Sequence, residues 1–342
     1  MPPTMTTLSE PGNVRRATMN DVARLAGVSI KTVSRVVNDE SGVHPATAER
    51  VLTAIEQLGF RRNLSARHLR RGTETGTIGL VLEDVANPFY SVLTRAAEEV
   101  ARAHGRQVLT GSSDEDPARE RELVLEFCAR RVDGLLVVPA GHQQGYIAHE
   151  INAGTPVVFL DRPAGNVEAD TVLVDNVGGT ALAARHLAAH GHRSIAFLGD
   201  APEIHTAAER LRGFREGCAQ AGVAFDPALV RMGPHTTETV RAALELMLPR
   251  ATALVTGNNR ITVEALRVLA GRADRPALVG FDDFELADLL DPPITVITHD
   301  TRELGRSAAE LLFARLGGDT APPRRHVLPT RLLPRGSGEV TP

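Results

Sequence analysis

Between Met19 and Asn38 the chain gathers side chains that could read and grip a nucleic-acid duplex. Ile30 offers an apolar contact to a thymine methyl group, and Lys31 and Arg35 can donate to the guanine acceptors of a major groove. Thr32, Ser34 and Asn38 are short polar groups of the kind that hold phosphate oxygens. Ser29, just ahead of them, is a helix-capping residue and the seventh candidate contact. These residues can act together only if one helix carries them into one groove.

The surrounding pattern supplies that helix. Met19, Val22, Ala23 and Ala26 recur at i, i+3, i+4 and i+7, an apolar stripe on a short first helix. Thr18 suits its N-cap, Asp21 its first turn, and Gly27 a left-handed stop. Val28 is an apolar plug within the turn. Ser29 then opens a second helix whose Val33, Val36 and Val37 face inward, leaving Ile30, Lys31, Ser34, Arg35 and Asn38 on its other faces. Two short helices joined this way read as a helix-turn-helix, whose second helix presents its N-terminal residues to base edges. A plain three-helix bundle with a charged outer face fits the same pattern.

The rest of the chain has a different texture. Of 342 residues, 42% are hydrophobic and 23% charged, with no Trp, which suits aliphatic helix-on-sheet cores in two or three domains. The net charge of −4 divides into +4 over residues 1–75 and −8 over the remainder, a basic head on an acidic body. From Thr77 onward, short apolar runs (Ile78–Leu82, Gln107–Thr110, Gly134–Val138, Pro156–Leu160, Ser194–Leu198, Ala253–Thr256, Ala277–Phe281) alternate with amphipathic stretches. This alternation predicts βαβ units and parallel sheets covered on both faces. The units are too many for one open sheet, so two similar doubly wound halves are expected. Cys128 and Cys218 stand far apart in apolar stretches and read as buried small hydrophobes; neither a disulfide nor a metal site is expected.

The run from Asp21 through Ser29 to Thr32-Val-Ser-Arg-Val-Val-Asn38 closely resembles the lactose-repressor (LacI/GalR) family of bacterial regulators. The resemblance continues through a third helix from Pro45, with Val51, Ile55 and Leu58 behind the reader and His44 where the family usually has a hydroxyl cap. Further matches are Asn87-Pro-Phe-Tyr90, Asp133-Gly-Leu-Leu, Pro156 to Arg162, Val174-Asp-Asn176, Arg210-Leu-Arg-Gly-Phe214 and Val279-Gly-Phe-Asp-Asp283. They cover residues 18–335 in order. The segment Gly59–Arg70 is similar to the family's hinge, a short helix that orders on DNA. The resemblance gives Asn63, Ala66, Leu69 and Arg70 DNA contacts there, with Leu69 as the apolar wedge that kinks the minor groove. A flexible basic linker is the other reading of this segment.

For the body the resemblance implies two periplasmic-binding-protein-like subdomains with a small-molecule effector between them. It implies Phe89 and Tyr90 as aromatic walls of that cleft and Asp161, Arg162, Arg210, Asn258, Asp282 and His299 as contacts to the effector. A sugar or sugar derivative, a phosphorylated sugar, a nucleoside or another small molecule are all left open. Asp161–Arg162 could instead be an ion pair at a strand end, and Asp282 a turn cap. Two departures bear on the ligand. Asn258-Asn-Arg-Ile-Thr262 stands where the family commonly has Asn-Asp-Met-Ala, and His299-Asp300 where Gln-Pro is typical.

The expected fold is therefore a small all-α helix-turn-helix head on an α/β body of two doubly wound parallel-sheet subdomains. The expected boundaries are a disordered leader (1–17), the head (18–62), a hinge helix and linker (63–76) and the body (77–342). Within the body, 77–174 with 299–322 should form one subdomain and 175–298 with 323–342 the other. Neither a secretory leader nor a membrane span is apparent, so a cytoplasmic protein is expected. No leucine heptad follows Arg335, so a homodimer on a pseudo-palindromic double-stranded operator is expected. A secreted transport protein would share the body but not the head. Catalysis is not expected, because G-x-G-x-x-G after a strand, G-x-x-x-x-G-K-[ST], G-x-S-x-G and H-E-x-x-H are all absent. A transcription repressor without a cofactor, answering to a small molecule, is the function these residues imply.

Overall fold

The computed structural model of the protein describes residues 17–38, 40–61, 75–272 and 274–342. Residues 1–16 of the expected leader and the hinge candidates Asn63, Ala66, Leu69 and Arg70 lie outside the described residues. The chain divides into two compact units, Met1–Thr73 and Glu74–Pro342, and the division falls inside the expected linker.

In the first unit three helices close on a small core: α1 (Met19–Ala26), α2 (Ile30–Val37) and α3 (Pro45–Leu58). Thr18 and Asp21 cap α1 reciprocally: the Thr18 amide donates to Asp21 Oδ2 at 2.9 Å, and the Asp21 amide to Thr18 Oγ1. Gly27 ends α1 at φ 65°, a conformation only glycine adopts without strain. Val22, Ala23, Ala26, Val33, Val51 and Ala54 are buried, with Val28 packed against them as a plug. Leu58 was expected in this core but stands 36% exposed. Ile55 and Phe60, on either side of it in the chain, pack against the core, so Leu58 stands on the outward side of the last turn. His44 holds the cap position of α3 without a side-chain hydrogen bond.

The second unit contains two six-stranded sheets. The first comprises β1 (Thr77–Leu82), β2 (Gln107–Ser112), β3 (Leu135–Val137), β4 (Val157–Leu160), β5 (Asp170–Val174) and β11 (Arg325–Leu328), in the order β11-β5-β4-β3-β1-β2. The second comprises β6 (Ile195–Gly199), β7 (Val230–Met232), β8 (Ala253–Thr256), β9 (Ala277–Phe281), β10 (Thr295–Thr298) and β12 (Arg331–Leu333), in the order β12-β10-β9-β8-β6-β7. Pairing is parallel except between β10 and β12. Helices α4 (Pro88–Ala103), α5 (Pro117–Ala129), α6 (Ala148–Asn152) and α11 (Thr301–Leu316) accompany the first sheet. Helices α7 (Asn176–Ala189), α8 (His205–Gln220), α9 (Thr237–Met247) and α10 (Asn259–Leu269) accompany the second.

Both faces of each sheet are covered. Along β1, Ile78, Leu80 and Leu82 join the core with Leu93 and Leu312, whereas Val81 turns to Phe127 and Val124. That is the period-two alternation of a strand between two helical layers. Strand order in each sheet reverses beside the first strand, so crevices open at the carboxyl ends of β1 and β3 and of β6 and β8, where doubly wound sheets hold ligands.

The chain crosses between sheets three times: after β5, after β10, and between β11 and β12. The expected boundary at 322/323 is therefore corrected. Arg325–Leu328 pairs with Thr171–Val174 in the first sheet, and the last crossing comes only after Leu328. The entry to β1 is clasped by Asp133, whose carboxylate accepts from the amides of Thr75, Gly76 (2.8 Å) and Thr77 (3.1 Å) and from Arg106 Nη1 at 2.7 Å.

Helices α7 and α8 approach until only glycine fits. A Cβ on Gly213 would meet the Val177 backbone, and one on Gly217 would lie 2.5 Å from the Ala181 carbonyl. Gly213→Ala is expected to lower the stability of this unit by about 1–3 kcal/mol through overpacking. Denaturant unfolding followed by circular dichroism measures it, and an unchanged midpoint would contradict the packing assigned to α8.

Candidate functional site

On the head, the second helix carries the expected DNA-reading set. Lys31 is exposed and Ile30 is 46% exposed, so both side chains are open to a partner. Ser29 Oγ accepts from the Thr32 amide at 3.1 Å and contacts Thr32 Oγ1 at 2.9 Å. At the other end Asn38 Nδ2 donates to Ser34 Oγ at 3.2 Å, so both pairs are braced within the helix. Arg35 lies half-buried beside them.

In the body, the chain places most of the remaining candidates at the carboxyl ends of the strands. Asp161 follows β4 and Asp282 follows β9, and both adopt left-handed backbone, φ 65° and 64°. Each amide donates at 2.9 Å to the neighbouring strand, to Val172 and Ile297 respectively, so the two halves repeat one strained turn. Non-glycine residues in this conformation cost of order 1–3 kcal/mol and concentrate at functional sites.

Arg162 is buried, and its two Nη atoms meet Glu115 at 2.6 and 2.5 Å, with a third bond to the Pro139 carbonyl. Burial disfavours its charge, but Tyr90, Glu115 and Asp161 outweigh that and hold it protonated. Glu115 is the hydrogen-bonded partner, and Asp161 forms the longer ion pair read from the sequence, 3.6 Å from Nε. Arg210 donates from Nε to Asn176 (2.7 Å) and from Nη1 to the Gly257 carbonyl (2.6 Å) and Asp282 (3.3 Å). Its guanidinium lies 3.9 Å from the centre of the Phe281 ring. The neighbouring turn is capped by Asp283, which accepts from the Phe284 amide, and Asp282 is free of that duty.

Two candidates stand differently from expectation. Tyr90 is not a wall: its ring is buried in the first subdomain's core, and its hydroxyl reaches back to Asp161 at 3.4 Å. Large aromatics seek core volume and leave only the polar end at the site. Phe89 does border it, half-buried and edge-on to Tyr90 and His299. Asn258 has both ends of its amide engaged, donating to Asp200 (2.7 Å) and capping Ile261 (2.8 Å), so it positions α10.

Four buried side-chain atoms have no hydrogen-bond partner among the described residues: Arg162 Nε, Asp282 Oδ1 and both ring nitrogens of His299. All four belong to residues singled out from the sequence, and they come from both subdomains and the second crossing. A cavity of about 610 Å³ adjoins that crossing, bordered by His299, Asp300, Arg302, Thr330 and Arg331 among others. Burial keeps His299 below the usual imidazole range, although Asp282 pulls the other way.

The subdomains also touch directly. Asn259 Nδ2 donates to Asn87 Oδ1 at 3.0 Å, and Arg260 Nη1 reaches Glu83 (3.4 Å) and Asp84 (3.2 Å). Burial, with Glu115 nearby, raises the Glu83 carboxyl to about 7. Burial pushes the Asp200 carboxyl up, but the bond and charge of His235, together with Arg162 and the Ala201 amide, outweigh it and hold Asp200 low, and His235 is raised by the same bond. Sequence reasoning missed Glu83, Glu115 and Asp200. The available signal was that buried arginines at strand ends need carboxylates from neighbouring strand-end loops.

The fold and site define a ligand-responsive regulator: a helix-turn-helix head joined to a two-lobed α/β body. Residues 18–63 match the family described as bacterial regulatory proteins, lacI family, and residues 184–338 match the periplasmic binding protein-like domain. The HTH-type transcriptional regulator CelR of Thermobifida fusca is 36% identical over 341 residues, covering 95% of this chain and 99% of that one. GalR of Escherichia coli (strain K12) is 31% identical, covering 94% and 95%. A structure described as a CelR–cellobiose complex shares 33% identity at a TM-score of 0.69 over 94% of this chain and 100% of that one. The lac repressor dimer bound to operator and the anti-inducer ONPF shares 27% at a TM-score of 0.80, covering 95% and 100%. The chain belongs to the lacI family of bacterial regulatory proteins and is a helix-turn-helix transcriptional regulator.

Because Glu83 is raised from 4.5 to about 7, the folded state holds its proton more tightly, and the stability this gives is lost as pH rises through 7. Glu83→Gln should therefore gain stability over the parent with increasing pH, by up to about 3 kcal/mol between pH 4.5 and 8. Unfolding of both proteins across that range checks it, and a constant difference would refute the assignment.

Proposed function

We propose that the chain is a transcription repressor that grips a pseudo-palindromic operator as a homodimer and answers to a sugar-like effector held between its subdomains. The observation that carries the effector site is the set of four buried atoms on Arg162, Asp282 and His299 that make no hydrogen bond. Arg162 Nε stands 3.6 Å from Asp161, and His299 Nδ1 stands 3.7 Å from Asp282 Oδ1, both beyond hydrogen-bond reach. Each such group costs about 1–3 kcal/mol, and a hydroxyl-bearing ligand removes that cost. The likeness to CelR, solved with cellobiose, supports the same class of ligand.

Each recognition helix would read one half-site, with Ile30, Lys31 and Arg35 on base edges and Ser29, Thr32, Ser34 and Asn38 at the backbone. Asn63, Ala66, Leu69 and Arg70 would serve the operator centre, as the family resemblance implies. Effector would act by favouring one arrangement of the subdomains, since a ligand shifts an equilibrium only by its differential affinity. Among the described residues, no group of three or more His, Cys, Asp or Glu side chains could hold a metal ion, and no helix is long and apolar enough to cross a membrane. The function needs neither a cofactor nor catalysis, and its place is the bacterial cytoplasm.

Selection of bound sequences from a random DNA pool at fixed salt should recover one short pseudo-palindrome. Lys31→Ala and Arg35→Ala should each cost about 1–3 kcal/mol on the selected site and relax base preference there. Equal weakening on every sequence would make them phosphate contacts instead. Arg210→Ala should leave operator binding in place and abolish the effector's influence on it, read by fluorescence anisotropy of labelled operator; a retained dose response removes Arg210 from the site.

A further inference from the structure

Carboxyl groups outnumber guanidiniums in the cleft. Glu83, Asp84, Glu115, Asp161, Asp200 and Asp282 gather around Arg162, Arg210 and Arg260. Every one of these guanidiniums is already committed to carboxylate: Arg162 to Glu115, Arg210 to Asp282, and Arg260 to Glu83 and Asp84. The second shared partner, Asp161, faces the remaining Arg162 nitrogen at 3.6 Å. His235 is engaged by Asp200. Among these groups, an arriving phosphate or carboxylate would meet guanidiniums that are already paired, beside the carboxylates that pair them.

The four unpartnered atoms narrow the class further. Arg162 Nε–H is a donor and Asp282 Oδ1 an acceptor, and a neutral imidazole at His299 supplies one of each. Burial keeps that imidazole in its neutral form at pH 7. An anion satisfies only the donors, and an ammonium group only the acceptors. A hydroxyl donates and accepts, and vicinal hydroxyls match the whole set.

We infer that this cleft selects uncharged polyhydroxyl ligands and rejects phosphorylated or carboxylated saccharides. The inference rests on the cleft being the effector site and adds the charge class to it. The decisive feature is that Glu115 engages both Nη atoms of Arg162 in an internal pair, which closes the anion-binding fork that this arginine would otherwise offer.

The test titrates the full-length protein calorimetrically with cellobiose, glucose and galactose, each beside an anionic counterpart: cellobiose 6-phosphate, glucose 6-phosphate and galacturonate. The neutral member of a pair should bind, and its counterpart should bind about a hundredfold more weakly, since like charges brought together cost several kcal/mol. Glu115→Gln, which frees the Arg162 fork, should narrow that gap at least about tenfold. The same variant should gain thermal stabilisation from inorganic phosphate that the parent lacks. An anionic member that binds as tightly as its neutral partner, in a manner lost in Asp282→Asn, overturns the charge selection and leaves the cleft as the site. So does phosphate stabilisation of the parent that Asp282→Asn removes. Saccharide binding that is unchanged in both Asp282→Asn and Arg210→Ala places the ligand elsewhere, and the effector-site reading falls together with this inference.

Discussion

The two sheets of the body are tied by three chain crossings, two from a strand into a helix and one from strand to strand, and this constraint governs everything the body can do. Each crossing leaves from or enters the same end of its sheet, where β5 and β11 pair in one and β10 and β12 in the other. The crossings are braced to one another as well: Thr330 Oγ1 on the third donates to the Asp175 carbonyl on the first at 3.3 Å. A body joined this way can hinge about the crossings, and the largest change it permits is in the crevice at the strand ends. Residues on or beside the crossings, Asn176 and His299 among them, therefore sense that motion by position alone. Arg210 links them, bonding Asn176 at one crossing and Asp282 beside the next.

Burial dictates the chemistry of that crevice. Arg162 and Arg210 are 5% and 6% exposed, so each needs a carboxylate and further oxygens to hold a charge away from water. The structure meets the need with Glu115 and Asp282, and adds backbone carbonyls from Pro139 and Gly257. Such pairs are weak evidence of stability, because desolvation offsets much of the attraction. Their consequence here is geometric. Bidentate contacts and the left-handed turns at Asp161 and Asp282 fix polar atoms at set positions, which is the preorganisation that a small ligand requires.

How much of this was legible in the sequence follows from what each element buries. Strands β1, β3, β4, β6, β8 and β9 are covered on both faces and were read as apolar runs. β5 and β10 are buried just as fully but are broken by polar Asp170, Thr171, Thr295 and Thr298 and went unread, whereas β2 was read although it is largely exposed. β11 and β12 are edge strands whose residues are mostly exposed or half-exposed, as in Arg325-His-Val-Leu328, and no apolar run marks them. That is why the subdomain boundary was placed some residues too early. The head was legible almost to its caps, because a helix-turn-helix core is set by local spacing. The cleft was legible only by resemblance. Nothing in the local pattern says that Glu115 will meet Arg162, 47 positions later, or that Tyr90 will turn into the core. Those pairings are set by tertiary approach of strand-end loops, which have no period to read.

The unpartnered atoms also show how a ligand could favour one arrangement of the body. Arg162 belongs to the first subdomain, Asp282 to the second, and His299 to the crossing between them. A molecule bonding all three must span the hinge, so its affinity depends on the angle between subdomains. Net hydrogen bonds to charged groups contribute about 1.5–3 kcal/mol each. Losing only one of the spanning bonds in the other arrangement is thus enough to supply the roughly 1–3 kcal/mol typical of coupling between sites. Arg260, reaching across to Glu83 and Asp84 without any ligand, adds an intrinsic bias toward contact between the subdomains. The response therefore depends on how the bonds a ligand makes across the hinge compare with a protein–protein ion pair already in place there.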